Sequence, residues 1–280
     1  MTLQARRPTF DWEHTPLHWI PDEPYATHAN NTLHLLAPVF ERGLIALYKE
    51  VLPRLKDERL RQELRGFLAQ EATHARAHDQ VLAWMREHGL ETAPFIAACE
   101  RDWQAFAGDT PPLGVPAEAW LRWRLALAAA GEHLTCVVGH WSVSTDALDR
   151  AGADPEMLAM LRWHGAEEVE HRAVTFDVLR AVAGPTAYPL RVAAMVATLP
   201  FLAGLWNRAV AYMLANDPLL RGRTFGRRDY QALLERGLAP GRAILEAVAR
   251  YMHPAFHPDQ EGSLELAQGV LAGMTRRPAL

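Results

Sequence analysis

The chain has 280 residues, of which 49% are hydrophobic and 22% charged, an ordinary composition for a globular protein. Its 29 lysines and arginines against 33 aspartates and glutamates leave a formal net charge of −4, and no dense basic run could follow a phosphate backbone, so nucleic acid is not expected as a partner. Cys99 and Cys136 are too far apart in sequence for a zinc knuckle or a redox pair, and the N-terminus lacks the apolar stretch of a secretory signal, so a cytoplasmic protein with two buried cysteines is expected.

An arm precedes the first predicted helix. Residues 1–24 are rich in proline, tryptophan and charged residues. Pro16, Pro21 and Pro24 interrupt regular structure, so the sequence predicts an extended N-terminal arm lying on the surface. Residues 25–280 are expected to form a single all-α domain.

Four long segments have apolar residues at helical spacing and are predicted to be the core helices of a four-helix bundle. They cover about residues 25–52, 57–88, 116–144 and 154–183. Residues 90–115 contain a short predicted helix from Ala93 to Phe106 and have the length needed for a long crossover between the second and third core helices.

The first two core helices carry polar residues inside their apolar stripes. Glu41 lies in the first stripe, where it must be paired, bind a metal or turn outward, because an unpaired buried carboxylate costs several kcal/mol. Glu71 and His74 form a Glu-x-x-His pair in the second. His78 is one turn further on and is expected to lie beside the site or in the core. The alternative is that His74 and His78, four residues apart, hold a single ion as in zinc-binding helices. Pro38 predicts a kink in the first helix, or a start close to it.

Glu132 is the inward carboxylate of the third core helix. It follows the small residues Ala128 to Gly131, which leave room for close helix packing or for a ligand. The adjacent His133 points elsewhere and is expected to be structural.

The fourth core helix carries three candidate ligands. His164, Glu168 and His171 lie within about 60° of one another on one face, because each residue of an α-helix turns about 100°. Glu167 lies close to the same face and Glu170 points away. Only Glu168 stands three residues before a histidine and so repeats the Glu-x-x-His spacing of the second helix.

Two Glu-x-x-His helices, each partnered by a helix with one inward glutamate, are the arrangement of di-iron and di-manganese carboxylate bundles. The carboxylates would balance the charge of two divalent ions, and imidazole is a ligand suited to iron. The sequence therefore predicts two iron ions, with manganese or a mixed iron–manganese pair as the alternative. The predicted ligands are Glu41, Glu71, His74, Glu132, His164, Glu168 and His171.

The C-terminal part contains an apolar segment from Val192 to Trp206. It is about 15 residues long, is interrupted by Pro200 and is shorter than the roughly 20 residues of a membrane span. We expect a buried or interfacial helix. Together with the small residues before Glu132 it predicts an apolar cavity beside the metal ions that opens toward a lipid surface, as a peripheral membrane contact. The alternative is that the segment only packs a homodimer or the core. Shorter helices are predicted at about Tyr230–Arg236 and Ala243–Met252.

From the arm at Pro8 to the run Pro254–Pro258, the chain resembles the bacterial family of predicted metal-dependent hydrolases, which is ferritin-like in fold. The helix with His164, Glu168 and His171 is similar, residue by residue, to the His-x-x-x-Glu-x-x-His helix of the di-iron arylamine N-oxygenases.

The remaining ligands extend the second resemblance. Glu71 and His74 match the other Glu-x-x-His pair of the N-oxygenases, and Glu41 and Glu132 match their lone carboxylates by order and helix. The two resemblances imply a ferritin-like four-helix bundle with additional C-terminal helices and a metal centre.

The ligand set favours an oxygen-activating di-iron oxidoreductase, an oxygenase or oxidase that uses O₂ as co-substrate on a small apolar or aromatic molecule. An external electron donor is expected, because the chain has no flavin or nicotinamide motif. One alternative is a hydrolase in which two metal ions activate water. A further alternative is a non-catalytic bundle that binds metal or another ligand.

Overall fold

The computed structural model describes residues 3–274. In this part the chain consists of α-helices, short 3₁₀ turns and loops, with no β-strand, which confirms the predicted all-α class. Residues 1–2 of the predicted arm and 275–280 of the predicted domain lie outside it, and the division into an arm and one domain stays a prediction. In chain order, the helices are α1 (Pro24–Val51), α2 (Glu58–Glu87), α3 (Ala93–Ala107), α4 (Ala117–Ser144), α5 (Ala147–Arg150), α6 (Pro155–His171), α7 (Val174–Ala183), α8 (Ala187–Asn216), α9 (Arg227–Glu235), α10 (Arg242–Tyr251) and α11 (Leu264–Met274).

The first two core helices have almost the predicted bounds. α1 starts at Pro24, where the missing N–H of proline is tolerated because the first turn has no intrahelical acceptor for it. Pro38 lies inside α1, so the expectation that the helix begins close to it is wrong. Asp57 caps α2 by accepting hydrogen bonds from the amides of Arg59 and Leu60 (2.8 and 3.2 Å).

The fourth predicted core helix is in fact two helices, α6 and α7, which are separated at Arg172 and Ala173. Asp154 caps α6 as predicted, by accepting from the amides two and three residues later (3.1 and 3.0 Å). At the break, the guanidinium of Arg172 donates to the carbonyls of Val169 (2.6 Å) and Pro258 (3.0 Å). It thus satisfies a carbonyl in the last turn of α6. Local sequence does not mark the break, because the second carbonyl is 86 residues away.

The apolar segment Val192–Trp206 is only the middle of a longer helix. α8 spans 30 residues with Pro200 in its interior, because more polar turns extend the helix beyond the apolar segment at both ends. The helical run from Pro155 to Asn216 contains an 18-residue window of mean hydropathy 1.4, 28% of which is buried. By length and composition alone this run could cross a membrane, a test that the core helices of soluble proteins also pass. Membrane contact stays a prediction.

The C-terminal helices pack on the core. α8 crosses α4 and α1, and α10 lies against α4. α9 and α10 correspond to the two predicted shorter helices, whereas α11, which packs against α6, was not predicted. Cys99 and Cys136 are buried and free, as expected.

Two helix pairs build the core around the candidate ligands. α1 packs along α2, and α4 packs along α6. The second pair approaches so closely that a Cβ on Gly139 would lie 2.6 Å from the carbonyl oxygen of Gly165 and 3.0 Å from the Cβ of Glu168. Any side chain there would push the helices apart at the level of Glu168.

Candidate metal centre

Seven carboxylate and imidazole side chains from four helices meet between the two helix pairs. None of these residues is more than 4% exposed. They are the seven ligands predicted from the sequence, and they meet because spacings of three and four residues place side chains on one helix face. They are Glu41 of α1, Glu71 and His74 of α2, Glu132 of α4, and His164, Glu168 and His171 of α6.

The first group, called site 1 here, consists of Glu41, His74 and His164. One ligand atom of each lies within 4.8 Å of the others. His164 Nε2 is 3.7 Å from Glu41 Oε1 and 2.8 Å from Glu168 Oε1. His74 Nδ1 is 3.6 Å from the same Glu168 oxygen. Glu168 therefore reaches site 1.

The second group, called site 2, consists of Glu71, Glu168 and His171, again with ligand atoms within 4.8 Å of one another. His171 Nδ1 lies 3.3 Å from Glu71 Oε1, and His171 Nε2 lies 3.3 Å from Glu168 Oε2. Glu71 Oε1 is also 3.8 Å from His74 Nδ1 of site 1. Glu71 and Glu168 therefore lie between the two sites. Glu132 Oε2 is 3.9 Å from His171 Nε2 and lies at site 2.

Many polar atoms of this cluster lack hydrogen-bond partners. No lysine or arginine of residues 3–274 forms an ion pair with its four carboxylates, which contact histidine nitrogens instead. Buried charges in proteins are normally paired or coordinate metals, and carboxylate oxygen with imidazole nitrogen suits divalent iron, manganese or zinc. The residues therefore fit metal ions. The buried atoms without a partner include Glu41 Oε1 and Oε2, Glu71 Oε1, His74 Nδ1, Glu132 Oε2, Glu168 Oε2, and His171 Nδ1 and Nε2.

Burial and mutual repulsion shift the pKa values of the carboxylates. Burial, followed by the charges of neighbouring glutamates, raises the pKa of Glu41 and of Glu71 well above the usual value. Burial and Glu168 raise the pKa of Glu132 to about 8. For Glu168 itself, burial acts upward, but the neighbouring histidines, His171 first, hold the pKa well below its usual value. The cluster without metal thus retains protons at neutral pH that metal ions would displace.

Glu167 supports His74 from outside the cluster. Glu167 Oε2 accepts a hydrogen bond from His74 Nε2 (3.0 Å), and Glu167 Oε1 accepts one from Arg6 in the arm (2.9 Å). Because Nε2 carries the donated proton, the lone pair of His74 Nδ1 is left for site 1. The helical position of Glu167 signalled its closeness to the ligand face. Nothing signalled Arg6, because it is 161 residues from Glu167.

His78 lies next to site 1 and outside both groups. Its Nε2 is 3.0 Å from His164 Nδ1 and 3.6 Å from Glu41 Oε1. Its Nδ1 is 2.8 Å from His34 Nδ1. Burial lowers the pKa of His34 to about 3 and the pKa of His78 well below its usual value, so both are neutral at pH 7. His34 positions His78, and His78 in turn contacts the ring nitrogen of His164 that faces away from site 1.

Apolar groups enclose the cluster. The ring of Phe67 is centred 4.9 Å from that of His171, and Trp163 packs edge-on to His74 with centroids 5.1 Å apart. Ala128–Ala130 belong to the same apolar cluster as residues of α8, which therefore covers this side of α4. The predicted apolar cavity stays a prediction. His133, as expected, points away, with Nε2 donating to a carbonyl of α10 (3.0 Å).

Fold and cluster together define a class of protein, an α-helical bundle with a buried carboxylate–histidine cluster that fits metal ions. The chain belongs to the family described as predicted metal-dependent hydrolase, which matches residues 4–262. This confirms the family expected from the sequence, and its description agrees with the hydrolase alternative better than with oxygen activation. No curated protein and no solved structure was found to match the chain.

Proposed function

We propose that the protein is a hydrolase that works with two divalent metal ions. The observation that carries the proposal is the pair of adjacent donor groups, with Glu71 and Glu168 between them, in a core where the four carboxylates have no lysine or arginine partner among residues 3–274. Four negative charges balance two divalent ions. The family description supports hydrolysis.

Each predicted ligand has a role in this proposal. Site 1 would be completed by the two shared carboxylates of Glu71 and Glu168, and site 2 by Glu132. Such an arrangement is that of a ferritin-like carboxylate bundle, in which two helices supply Glu-x-x-His pairs and two supply single glutamates. The full ligand set is Glu41, Glu71, His74, Glu132, His164, Glu168 and His171.

When bound, a pair of divalent ions supplies two things, a lowered pKa for a bound water and a positive clamp for the oxygens of an ester, amide or phosphoester. The chain's own residues prepare this chemistry. Glu167 fixes the tautomer of His74, and His78 holds His164. The rings of Phe67 and Trp163 exclude bulk water from the ligand histidines, which strengthens every electrostatic interaction within the site.

A second candidate function is oxygen activation by a di-iron centre. The donor set favours it, because the two Glu-x-x-His pairs and the two single glutamates on core helices match the di-iron bundle pattern, to which His164 adds a third imidazole. This function would require O₂, an external electron donor and a small apolar or aromatic substrate.

Metal analysis followed by anaerobic assay tests both functions. The protein purified without added metal should contain two ions per chain, and the loaded protein should cleave esters, amides or phosphoesters without O₂. Glu71→Gln should lose metal and activity, whereas Glu87→Gln, at an exposed position of the same helix, should retain both. Absence of hydrolysis together with O₂ consumption by the reduced, iron-loaded protein would replace the hydrolase with the oxidoreductase. A chain that binds no metal would refute both.

A further inference from the structure

The N-terminal arm crosses both helices that carry a Glu-x-x-His pair. Leu3 is buried against α2, where a Cβ on Gly66 would lie 2.7 Å from the Leu3 Cβ. Gln70 of α2 donates to a carbonyl of the arm (3.3 Å). Further along, Phe10 packs on Trp163 of α6, with ring centroids 6.1 Å apart. The arm therefore bridges α2 and α6.

Arg6 is the charged contact between the arm and the core. Its guanidinium is bonded to Glu167 (2.9 Å) and to both oxygens of Glu170 (2.7 and 3.1 Å). The side chains of Glu167 and Glu170 are 0% and 2% exposed, and among residues 3–274 Arg6 is their only arginine or lysine partner. Gln70 also donates to Glu170 (3.1 Å). Removing Arg6 would leave two buried carboxylates without a cation, which is unfavourable.

Glu167 transmits this contact to site 1. Its second oxygen accepts the Nε2 proton of His74, whose Nδ1 faces the site. A carboxylate that orients a ligand histidine in this way increases the affinity of a site for its metal. The orientation depends on the position of the Glu167 carboxylate, whose other oxygen is held by Arg6 (2.9 Å).

We propose that Arg6 is a positioning residue for site 1, and that docking of the N-terminal arm and binding of a divalent ion at His74 are coupled. The inference rests on the proposed metal centre and adds the arm to it. Linkage requires that arm docking raise metal affinity by the same factor by which metal raises arm docking. Outer partners of metal ligands typically change affinity by 10- to 100-fold, and we expect about 10-fold because Arg6 acts through Glu167.

Two measurements on the full-length, metal-stripped protein test this coupling, with Zn²⁺ as the probe. Competition with a chromophoric chelator gives the affinities of the two zinc ions. We expect Arg6→Ala to lower one of them about tenfold, Arg6→Lys to restore part of the loss, and Arg7→Ala to have no effect, because Arg7 is an exposed neighbour. The rate of amide hydrogen exchange in residues 3–12 measures how firmly the arm is docked. Zinc should slow it in the wild-type protein and in Arg7→Ala, and much less in Arg6→Ala.

Glu170→Gln separates docking of the arm from orientation of His74, because it weakens the ion pair that holds Arg6 and leaves the hydrogen bond between Glu167 and His74 in place. It should loosen the arm more than it changes zinc affinity, whereas Glu167→Gln should do the reverse. The inference is overturned if Arg6→Ala binds both zinc ions as tightly as Arg7→Ala, or if zinc leaves the wild-type arm unchanged. Hydrogen exchange of the wild-type arm with and without zinc needs no variant, so it tests the inference even if Arg6→Ala does not fold. Fewer than two zinc ions on the wild-type chain would instead refute the metal centre itself.

Discussion

Replacing Gly139 with alanine tests whether the contact between α4 and α6 sets the geometry of the metal centre. The new methyl group would lie 2.6 Å from the carbonyl oxygen of Gly165, 2.9 Å from its Cα and 3.0 Å from the Cβ of Glu168. Two of these neighbours are backbone atoms of another helix and cannot rotate away. The helices must separate by about 1 Å to restore van der Waals contact, and Glu168 must move away from Glu132.

The expected loss of stability follows from two opposing terms. Overpacking against a rigid neighbour costs about 3 kcal/mol, at the upper end of its usual range. Replacing a helical glycine with alanine returns about 1 kcal/mol, so the net loss is about 2 kcal/mol. For a chain of 280 residues the entropy of unfolding is about 0.6 kcal/mol/K, and Tm should fall by about 3 °C.

Differential scanning calorimetry and metal analysis measure the two consequences together. Gly131→Ala is the matched control, because Gly131 lies in the same helix and a Cβ there would meet no atom within 4 Å. The control should raise Tm slightly and leave metal content unchanged, whereas Gly139→Ala should lower both. If the two variants behave alike, the glycine contact does not set the separation of the carboxylates.

The remaining predictions concern pH, one ligand and the membrane. With metal removed, stability should fall as pH rises from about 6.5 to about 8, because Glu132, whose pKa is raised to about 8, keeps a proton in the folded state that an unfolded glutamate has lost, and His171, whose pKa is raised to about 9, acts in the same direction. Below about pH 6.5 the buried histidines with lowered pKa values, His34 and His78 among them, act in the opposite direction. Thermal melts between about pH 6.5 and 8 should show the fall for the stripped protein and little of it for the metal-loaded protein, and a rise in that range would contradict the reasoning. His164→Ala should lower the affinity for one of the two metal ions and leave the affinity for the other unchanged, since His164 lies in site 1 only. Unchanged affinity for both ions would remove His164 from the ligand set. The wild-type protein should float with liposomes if the apolar face of α8 contacts a membrane, and Val196→Glu should abolish flotation, because Val196 is 63% exposed there; wild-type protein that stays out of the lipid fraction would end the membrane prediction.

The sequence by itself determined the class, the approximate ends of the core helices and the seven side chains that meet in the core. These features depend on short-range geometry. A Glu-x-x-His spacing places two ligands on one face of a helix, and Asp57 and Asp154 cap the helices that follow them through bonds to amides two and three residues away. Such relations are fixed by helical geometry wherever the helix lies in the fold.

Only the tertiary structure decided how these helices share their ligands. Sequence spacing could not show that Glu71 and Glu168 lie between the two sites, because their positions depend on how closely α4 approaches α6 and how α2 faces them. The bonds of Arg6 to Glu167 and of Arg172 to the Pro258 carbonyl join residues 161 and 86 positions apart. Contacts of this range leave no periodicity in the chain, because they arise from the packing of surfaces that come together only when the whole bundle forms.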